Sequence, residues 1–506
     1  MKKILIISSV FAALVSAVSC NMELRPAGTV DPGNALQTID DAEKLRDGLY
    51  VAFRTRVGGT YASLDEIRSD LFHASIEFGN VGGNLYNWSM TAANSDVEAL
   101  WSASYNTVAN ANYFLEKANA VNTSEWSDEE RANLEVWKGE AYFLRAYYHL
   151  ELAEMFCMNY VGNEQSYGIP YITSYIPTSD QSRYPSRGTL EHTFEMLVTD
   201  LDSAQSLITT PGVRGSERIT RDAVTALQAR VALEMGDYDL AVEKASELIE
   251  SGTYPLVTSE SAFNSMWIND SGDECILQLF ASSPTELGNS NDYGYIGFDA
   301  IKNIYQPIYY PEQWVVDLLE QIPGDWRMNN HLRWTNVTVK NVGTRDMYIF
   351  YKFQGNPALR STETSWNYQN KPKVFRIAEM YLIRAEALAR GGAPQAGISD
   401  PWSDIHTLRT ARTTNYQPDQ FGESIEDAIL NERVRELIGE GFRIQDLKRY
   451  GRGFTRTEAQ VRETIYQPDT YTDYEIMANN PRFIFPIPQA EIDANSNISG
   501  EQNPGY

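Results

Sequence analysis

Apolar residues recur every three to four positions through much of this chain, and residues 376–390, RIAEMYLIRAEALAR, show the pattern most fully. Ile377, Tyr381, Ala385 and Leu388 share one face, with Met380 and Leu382 beside it, while Arg376, Glu379, Arg384 and Glu386 edge the flanks. This predicts an amphipathic helix with a wide apolar stripe, stopped by Gly391 and Gly392. Ala378, Ala385, Ala387 and Ala389 leave room for a close neighbour. The text is used twice: EAYFLRA at 140–146 matches EMYLIRA at 379–385 position by position. A repeated helix type predicts stacked helical pairs; the alternative is a chance likeness between two alanine-rich helices.

The same period predicts helices over residues 40 to about 53, 96–119, 128–156 with Asp128 as cap, and 189–207. Residues 220–255 read as one tetratricopeptide-like unit. Ala223, Leu227, Ala229 and Leu233 lie on the first helix, Gly236-Asp237-Tyr238 forms the turn, and Ala241, Ala245 and Leu248 lie on the second. Further helices are predicted near 402–412, over 424–438 and over 443–450, with a strand-like run at 483–487. Two stretches break the period. Residues 58–95 form a long irregular segment holding Tyr61, Phe72, Phe78, Tyr86 and Trp88, of the kind that carries function. Residues 256–372, rich in Tyr, Trp, Gly, Asn and Pro, read as loops, a helix near 313–321 and short β-type runs at 275–280 and 347–353. The expected class is mainly α: a tetratricopeptide-like scaffold with a loop-rich insertion lobe.

Composition narrows the setting. A formal charge of −26 over 506 residues leaves no basic stripe for nucleic acid. Lys2 and Lys3 precede an apolar run at 4–18, too short for a membrane span, that ends in Ala17-Val18-Ser19-Cys20. This reads as a signal peptide over 1–19 with a bacterial lipobox, making Cys20 the predicted lipidation site; a plain signal peptide is the alternative. Residues 20–38 then form a polar tether. Cys157 and Cys275 are the remaining cysteines, each most simply a small buried residue, with a bond between them as the alternative.

Four pieces occur in order: the lipobox at Cys20, the helix at 376–390, NERVRELIGEGFRIQDLKRYG at 431–451, and FPIPQAEID at 485–493 with the ending QNPGY. Together they resemble the SusD/RagB family of outer-membrane nutrient-binding lipoproteins. The family's second motif often carries His-Arg-Trp and Phe before its Asp; here Phe442, Arg443, Ile444 and Gln445 precede Asp446, while Arg443, Asp446 and Arg449 are kept. The resemblance implies a helical fold over 39–255 and 373–506. It also implies a lipid-anchored protein at the surface of a Gram-negative outer membrane, with a SusC-like TonB-dependent transporter as partner, an oligosaccharide as ligand, and no catalysis or cofactor. A peptide receptor of the same fold, a purely protein-binding scaffold and a surface hydrolase are the rivals.

The chain has no G-x-S-x-G elbow, P-loop or G-x-G-x-x-G, and its five histidines are far apart. Residues 269–274 and 289–292 offer oxygen ligands for calcium without EF-hand spacing, so loop solvation is the simpler role. A glycan site needs aromatic faces. Burying 50–80 Å² of a sugar ring contributes about 1–2 kcal/mol at ~25 cal/mol/Å², and millimolar affinity needs about 4 kcal/mol, so two or three rings are expected. Tyr86 and Trp88, at i, i+2 spacing in an extended loop, form the first candidate pair, with Arg68, Asp70, Asn84 and Asn87 as polar partners. Tyr293 and Tyr295 form the second. The competing reading makes Trp88 a core plug. The charges at 431–449 predict i, i+3 pairs, Arg433 with Glu436 and Glu432 with Arg435.

Overall fold

The computed structural model describes residues 35–57, 61–287, 293–299, 301–360, 368–395, 397–418, 422–466 and 474–506, with backbone alone at 61–63, 293 and 294. Cys20, most of the tether and residues 289–292 lie outside the described residues.

The helical period becomes a continuous array. Helices Ile39–Val57, Ser95–Ala120, Asp128–Phe156, Leu190–Leu207, Arg221–Met235 and Tyr238–Glu250 follow in chain order, each packed on the one before. Helix Ile377–Ala389 then joins the array on Tyr238–Glu250, although more than a hundred residues separate them, and Pro401–Thr410 and Ile425–Leu437 pack on it in turn. The small residues allow this closeness. Ala378, Ala385, Ala387, Ala241 and Ala245 are fully buried. A Cβ on Gly139, within Asp128–Phe156, would stand 2.7 Å from the Ile208 side chain, and one on Gly392 would stand 2.7 Å from the Tyr238 carbonyl oxygen. Ser127, not Asp128, caps its helix: its hydroxyl accepts from Glu130 N while Glu130 accepts from Ser127 N at 2.7 Å, a reciprocal capping box. Cys157 and Cys275 are buried free thiols.

The repeated text has a repeated physical role. Arg145 makes a two-pronged pair with Asp200 on the following helix at 2.7 and 2.5 Å, and Arg384 does the same with Asp404 at 2.9 and 2.7 Å. The matching glutamates face backwards. Glu379 holds Arg230 at 2.8 and 2.9 Å, and Glu140 lies 4.0 Å from Arg46. One helix type therefore carries a forward and a backward charge contact at equivalent places. Two-pronged Arg–carboxylate pairs fix direction as well as distance, so they set the register of stacking.

A second core lies beside the array. Residues 256–372 contribute Tyr295, Tyr309, Tyr310, Val315, Leu319, Val337, Ile349 and Phe350 to it, while Phe72, Phe78, Tyr86, Val434, Ile438 and Ile465 complete it from outside that range. Strand Phe72–Ala74 pairs antiparallel with Tyr309–Pro311, and Cys275–Gln278 pairs with Lys373–Arg376 where the chain leaves and rejoins the array. The largest strands are Leu332–Val339 and Gly343–Phe350, an antiparallel hairpin at one side of a four-stranded sheet. The segment at 483–487 is a 3-10 turn, Pro481–Phe483, followed by chain outside any strand, not the expected strand-like run.

Between the cores lies a buried lattice of charge. Arg327, Lys352, Arg376, Arg409, Arg412 and Arg435 meet Glu274, Asp325, Glu423, Glu432, Glu436 and Glu440, six cations against six carboxylates. Glu436 receives Arg376 at 2.7 Å, Arg412 at 3.0 Å and Arg327 at 3.2 Å. Burial alone would raise its carboxyl; Arg412 and Arg376 hold it well below the usual range. The expected pair of Glu432 with Arg435 forms at 3.0 Å. The expected pair of Arg433 with Glu436 does not, because Arg433 turns to Asp446 at 2.7 Å and Glu436 is engaged by arginines from other elements.

Candidate functional site

Residues 83–86 form a helical turn, Gly83–Tyr86, and Trp88 follows with φ of +52°, so the chain is not extended there. The two rings consequently part company. Tyr86 enters the second core beside Phe78 and Tyr309, with the Arg456 guanidinium 3.9 Å from its ring centre. Trp88 enters a separate cluster with Ile444, Leu447, Phe454 and Phe483, and its indole N–H donates to the Arg68 carbonyl at 2.7 Å. Tyr86 is 1% exposed and Trp88 4%, so neither offers a face to a sugar.

The polar partners named with them are structural as well. Arg68 is buried, donates to the Arg482 and Phe483 carbonyls at 2.9 and 2.8 Å, and lies over the rings of Trp88 and Phe485. Asp70 takes both prongs of Arg443, at 2.8 and 2.6 Å. The arginine kept in the C-terminal motif therefore clamps this segment to the scaffold. Asn84 is exposed and Asn87 half-buried, the two members of the set that reach solvent. Tyr295 is buried against Phe72, Phe350 and Tyr309, and the Tyr293 side chain lies outside the described residues. The 269–274 segment is scaffold too: Asp270 accepts from Lys373 at 2.7 Å and from Asn356 at 2.8 Å, and Glu274 pairs with Arg412. Among the described residues no group of three metal-ligating side chains forms.

Close by, His73 and Glu312 face each other at 3.8 Å. They are not an ion pair at neutral pH. Burial pushes the His73 imidazole down to about 3 and the Glu312 carboxyl up to about 8. The carboxyl value is raised above its unfolded value of 4.5, so the stability that Glu312 contributes is full below pH 4.5 and is lost as pH rises through about 8. Glu312→Gln is expected to gain up to about 2 kcal/mol relative to the parent chain between pH 6.5 and 8.5, read from urea midpoints across that range. A difference independent of pH would place the Glu312 proton elsewhere.

The aromatic residues most open to solvent among the described residues are Tyr167, Tyr175, Phe280 and Trp334. Each has a neighbour at its ring: Arg187 lies 5.1 Å from Tyr167, Lys371 lies 5.5 Å from Phe280, Tyr175 meets Tyr113 edge-on at 5.0 Å, and Trp334 meets Tyr348. Trp334 is the most open, at 58%. It sits on the hairpin opposite Tyr348; the ring centres are 4.9 Å apart and the planes inclined at 64°. Strand alternation puts Trp334, Asn336 and Thr338 on one face, opposite Tyr348, Asp346 and Thr344. Asn336 donates to Asp346 at 2.9 Å, and the Tyr348 hydroxyl donates to Glu320 at 3.2 Å. Gln460 closes the outer edge, accepting from Tyr348 N at 2.8 Å and donating to Tyr348 O at 3.1 Å. Two angled rings bordered by an amide and two carboxylates can stack on the apolar face of a pyranose and bond its hydroxyls.

The expectation drawn from residue order did not include Trp334. The signal in the sequence is the pair of β-rich runs on either side of Lys340-Asn341-Val342-Gly343; the expected β-type run at 347–353 covers part of the second alone.

Comparison with known proteins gives two family matches that together span most of the chain. Residues 295–506 match the model described as "SusD family", and residues 31–233 match one described as "Starch-binding associating with outer membrane". The chain is similar to SusD-like protein P38 of Formosa agariphila, at 22% identity over 89% of this chain and 92% of that protein. It is also similar to a solved SusD superfamily protein from Bacteroides thetaiotaomicron, at TM-score 0.76 and 25% identity over 92% of this chain and 100% of the other. Surface glycan-binding protein A from Bacteroides fluxus shares the fold at TM-score 0.67 and 22% identity, over 92% of this chain and 99% of the other.

Proposed function

Because this chain belongs to the SusD/RagB family, we propose that it captures oligosaccharides at the outer surface of the outer membrane and passes them to a SusC-like TonB-dependent transporter, without catalysis. Cys20 would carry the lipid that holds it there. The site is the outward face of the hairpin: Trp334 and Tyr348 take the sugar ring, and Asn336, Asp346 and Glu320 take its hydroxyls. The observation that carries this reading is the open indole of Trp334, more than half exposed in a protein whose other tryptophans, where described, are buried or half-buried. An indole left in water gains about 1–2 kcal/mol from covering one pyranose face, which a core tryptophan has already gained on folding.

Affinity electrophoresis through gels containing soluble polysaccharides tests the proposal. At least one glycan is expected to retard the purified chain, and Trp334→Ala is expected to weaken that retardation about tenfold, the equivalent of one lost stacking contact. Retardation indifferent to Trp334→Ala would remove the hairpin from the function. Transfer to a transporter is tested by co-purification from outer membranes: recovery of a TonB-dependent barrel is expected, and its absence would leave a free-standing binder.

A further inference from the structure

We propose that Asp346 and Glu320 make the hairpin face selective for uncharged glycans over those bearing uronate or sulfate groups. This rests on the reading of Trp334 as the stacking ring. Both carboxylates border the two rings: Glu320 at the Tyr348 hydroxyl, and Asp346 on the same strand face two residues from Tyr348. Asp317, one helical turn before Glu320, is exposed as well.

The neighbouring cations are turned elsewhere. Arg333 and Arg345 alternate with Trp334 and Asp346, so they project from the opposite face. The Arg333 guanidinium lies over Tyr305 and Tyr351 at 5.2 and 4.9 Å and donates to the Tyr351 hydroxyl, and Arg345 is held by Glu463 at 3.0 Å. Lys340 stands in the hairpin turn, six residues from Trp334. At about 3.3 Å per residue that is roughly 20 Å, more than twice the ~8 Å screening length of physiological salt. A sugar stacked on Trp334 thus meets two carboxylates, while Arg333 and Arg345 face the other side of the sheet and Lys340 stands beyond screening distance.

An anionic substituent about 7 Å from one carboxylate in water is disfavoured by roughly a factor of three, so two carboxylates disfavour it by about tenfold. The overall charge of −26 adds a longer-range repulsion that salt removes.

Matched polymers separate these effects: hydroxyethylcellulose against carboxymethylcellulose, methyl-esterified against de-esterified homogalacturonan, and agarose against a sulfated galactan. The full chain in mild detergent is run through gels of each at low and high salt, with Trp334→Ala and the double variant Asp346→Asn/Glu320→Gln alongside. The expected result is retardation by uncharged members that depends on Trp334, at least fivefold weaker retardation by their charged partners at low salt, and a gap that narrows in the double variant because the charged partners retard it more. Charged partners that retard the chain as well as neutral ones, still through Trp334, would overturn the selectivity and leave the binding reading standing. A gap unchanged in the double variant would assign selectivity to the overall charge and overturn the role of these two residues. Retardation independent of Trp334, or none with any polymer, would remove the binding reading and this inference with it.

Discussion

Glu436→Ala is expected to cost about 3–5 kcal/mol of folding stability, seen as a lower urea midpoint with little change in slope. The reason is accounting of charge, not contact number. Glu436 is fully buried and receives three arginines, from residues 327, 376 and 412. Removing it leaves the lattice with six cations and five carboxylates among side chains that are almost fully buried. Five of the six cations are arginines, which do not deprotonate; Lys352, which burial pushes down to about 8, touches the Glu436 backbone carbonyl and not its carboxylate. Replacing exposed Glu43 by Ala, also at a salt bridge, is expected to change stability by less than about 0.5 kcal/mol. If the two variants proved equally mild, the lattice would have to relax or admit water in a way its present geometry does not provide.

Trp88→Ala is expected to lower stability by about 3–5 kcal/mol while leaving glycan retardation of the folded chain unchanged. The indole fills the space between Phe454 and Phe483, supports the Arg68 guanidinium at 4.8 Å, and satisfies the Arg68 carbonyl. Its loss opens a cavity and loosens an arginine that ties residues 482–483 to the scaffold. Trp334→Ala is the mirror case, losing binding with little change in urea midpoint, because an exposed ring contributes little to folding. Were Trp88→Ala to abolish retardation with an unmoved midpoint, the ligand would have to enter a cluster that is closed in this structure.

The contrast between these tryptophans shows what residue order can carry. The helices of the array are legible because burial of one face writes itself as a period of 3.6, and the repeated EAYFLRA and EMYLIRA mark equivalent places in the stack. What Arg145 and Arg384 would grip, Asp200 and Asp404, was not legible, since pairing across helices leaves no fixed spacing. The same limit applies to Arg433, whose partner Asp446 lies beyond the i, i+3 and i, i+4 positions that a helix offers. Around Tyr86 and Trp88, spacing suggested two rings pointing the same way. Residues 83–86 take up a helical turn and Trp88 a positive φ, so the assumed extended backbone, and the shared direction, do not exist. Trp334 was hidden for a different reason. Its run, 332–339, is rich in β-branched residues, but the pairing with 343–350 that exposes the ring leaves no fixed spacing to read.

Gln460 has a consequence for what kind of molecule this face can hold. By accepting from Tyr348 N and donating to Tyr348 O, one side-chain amide stands in for a neighbouring strand on the sheet's outer border. An incoming polypeptide that tried to lengthen the sheet would find those two backbone groups taken, and would have to evict the amide before its own could dock. Extended peptides, and second copies of the chain, are thereby discouraged from zipping onto the hairpin. At Tyr348 the border is closed to a strand while the flat of the rings stays open, which suits a molecule with faces and hydroxyls better than one with a backbone to share.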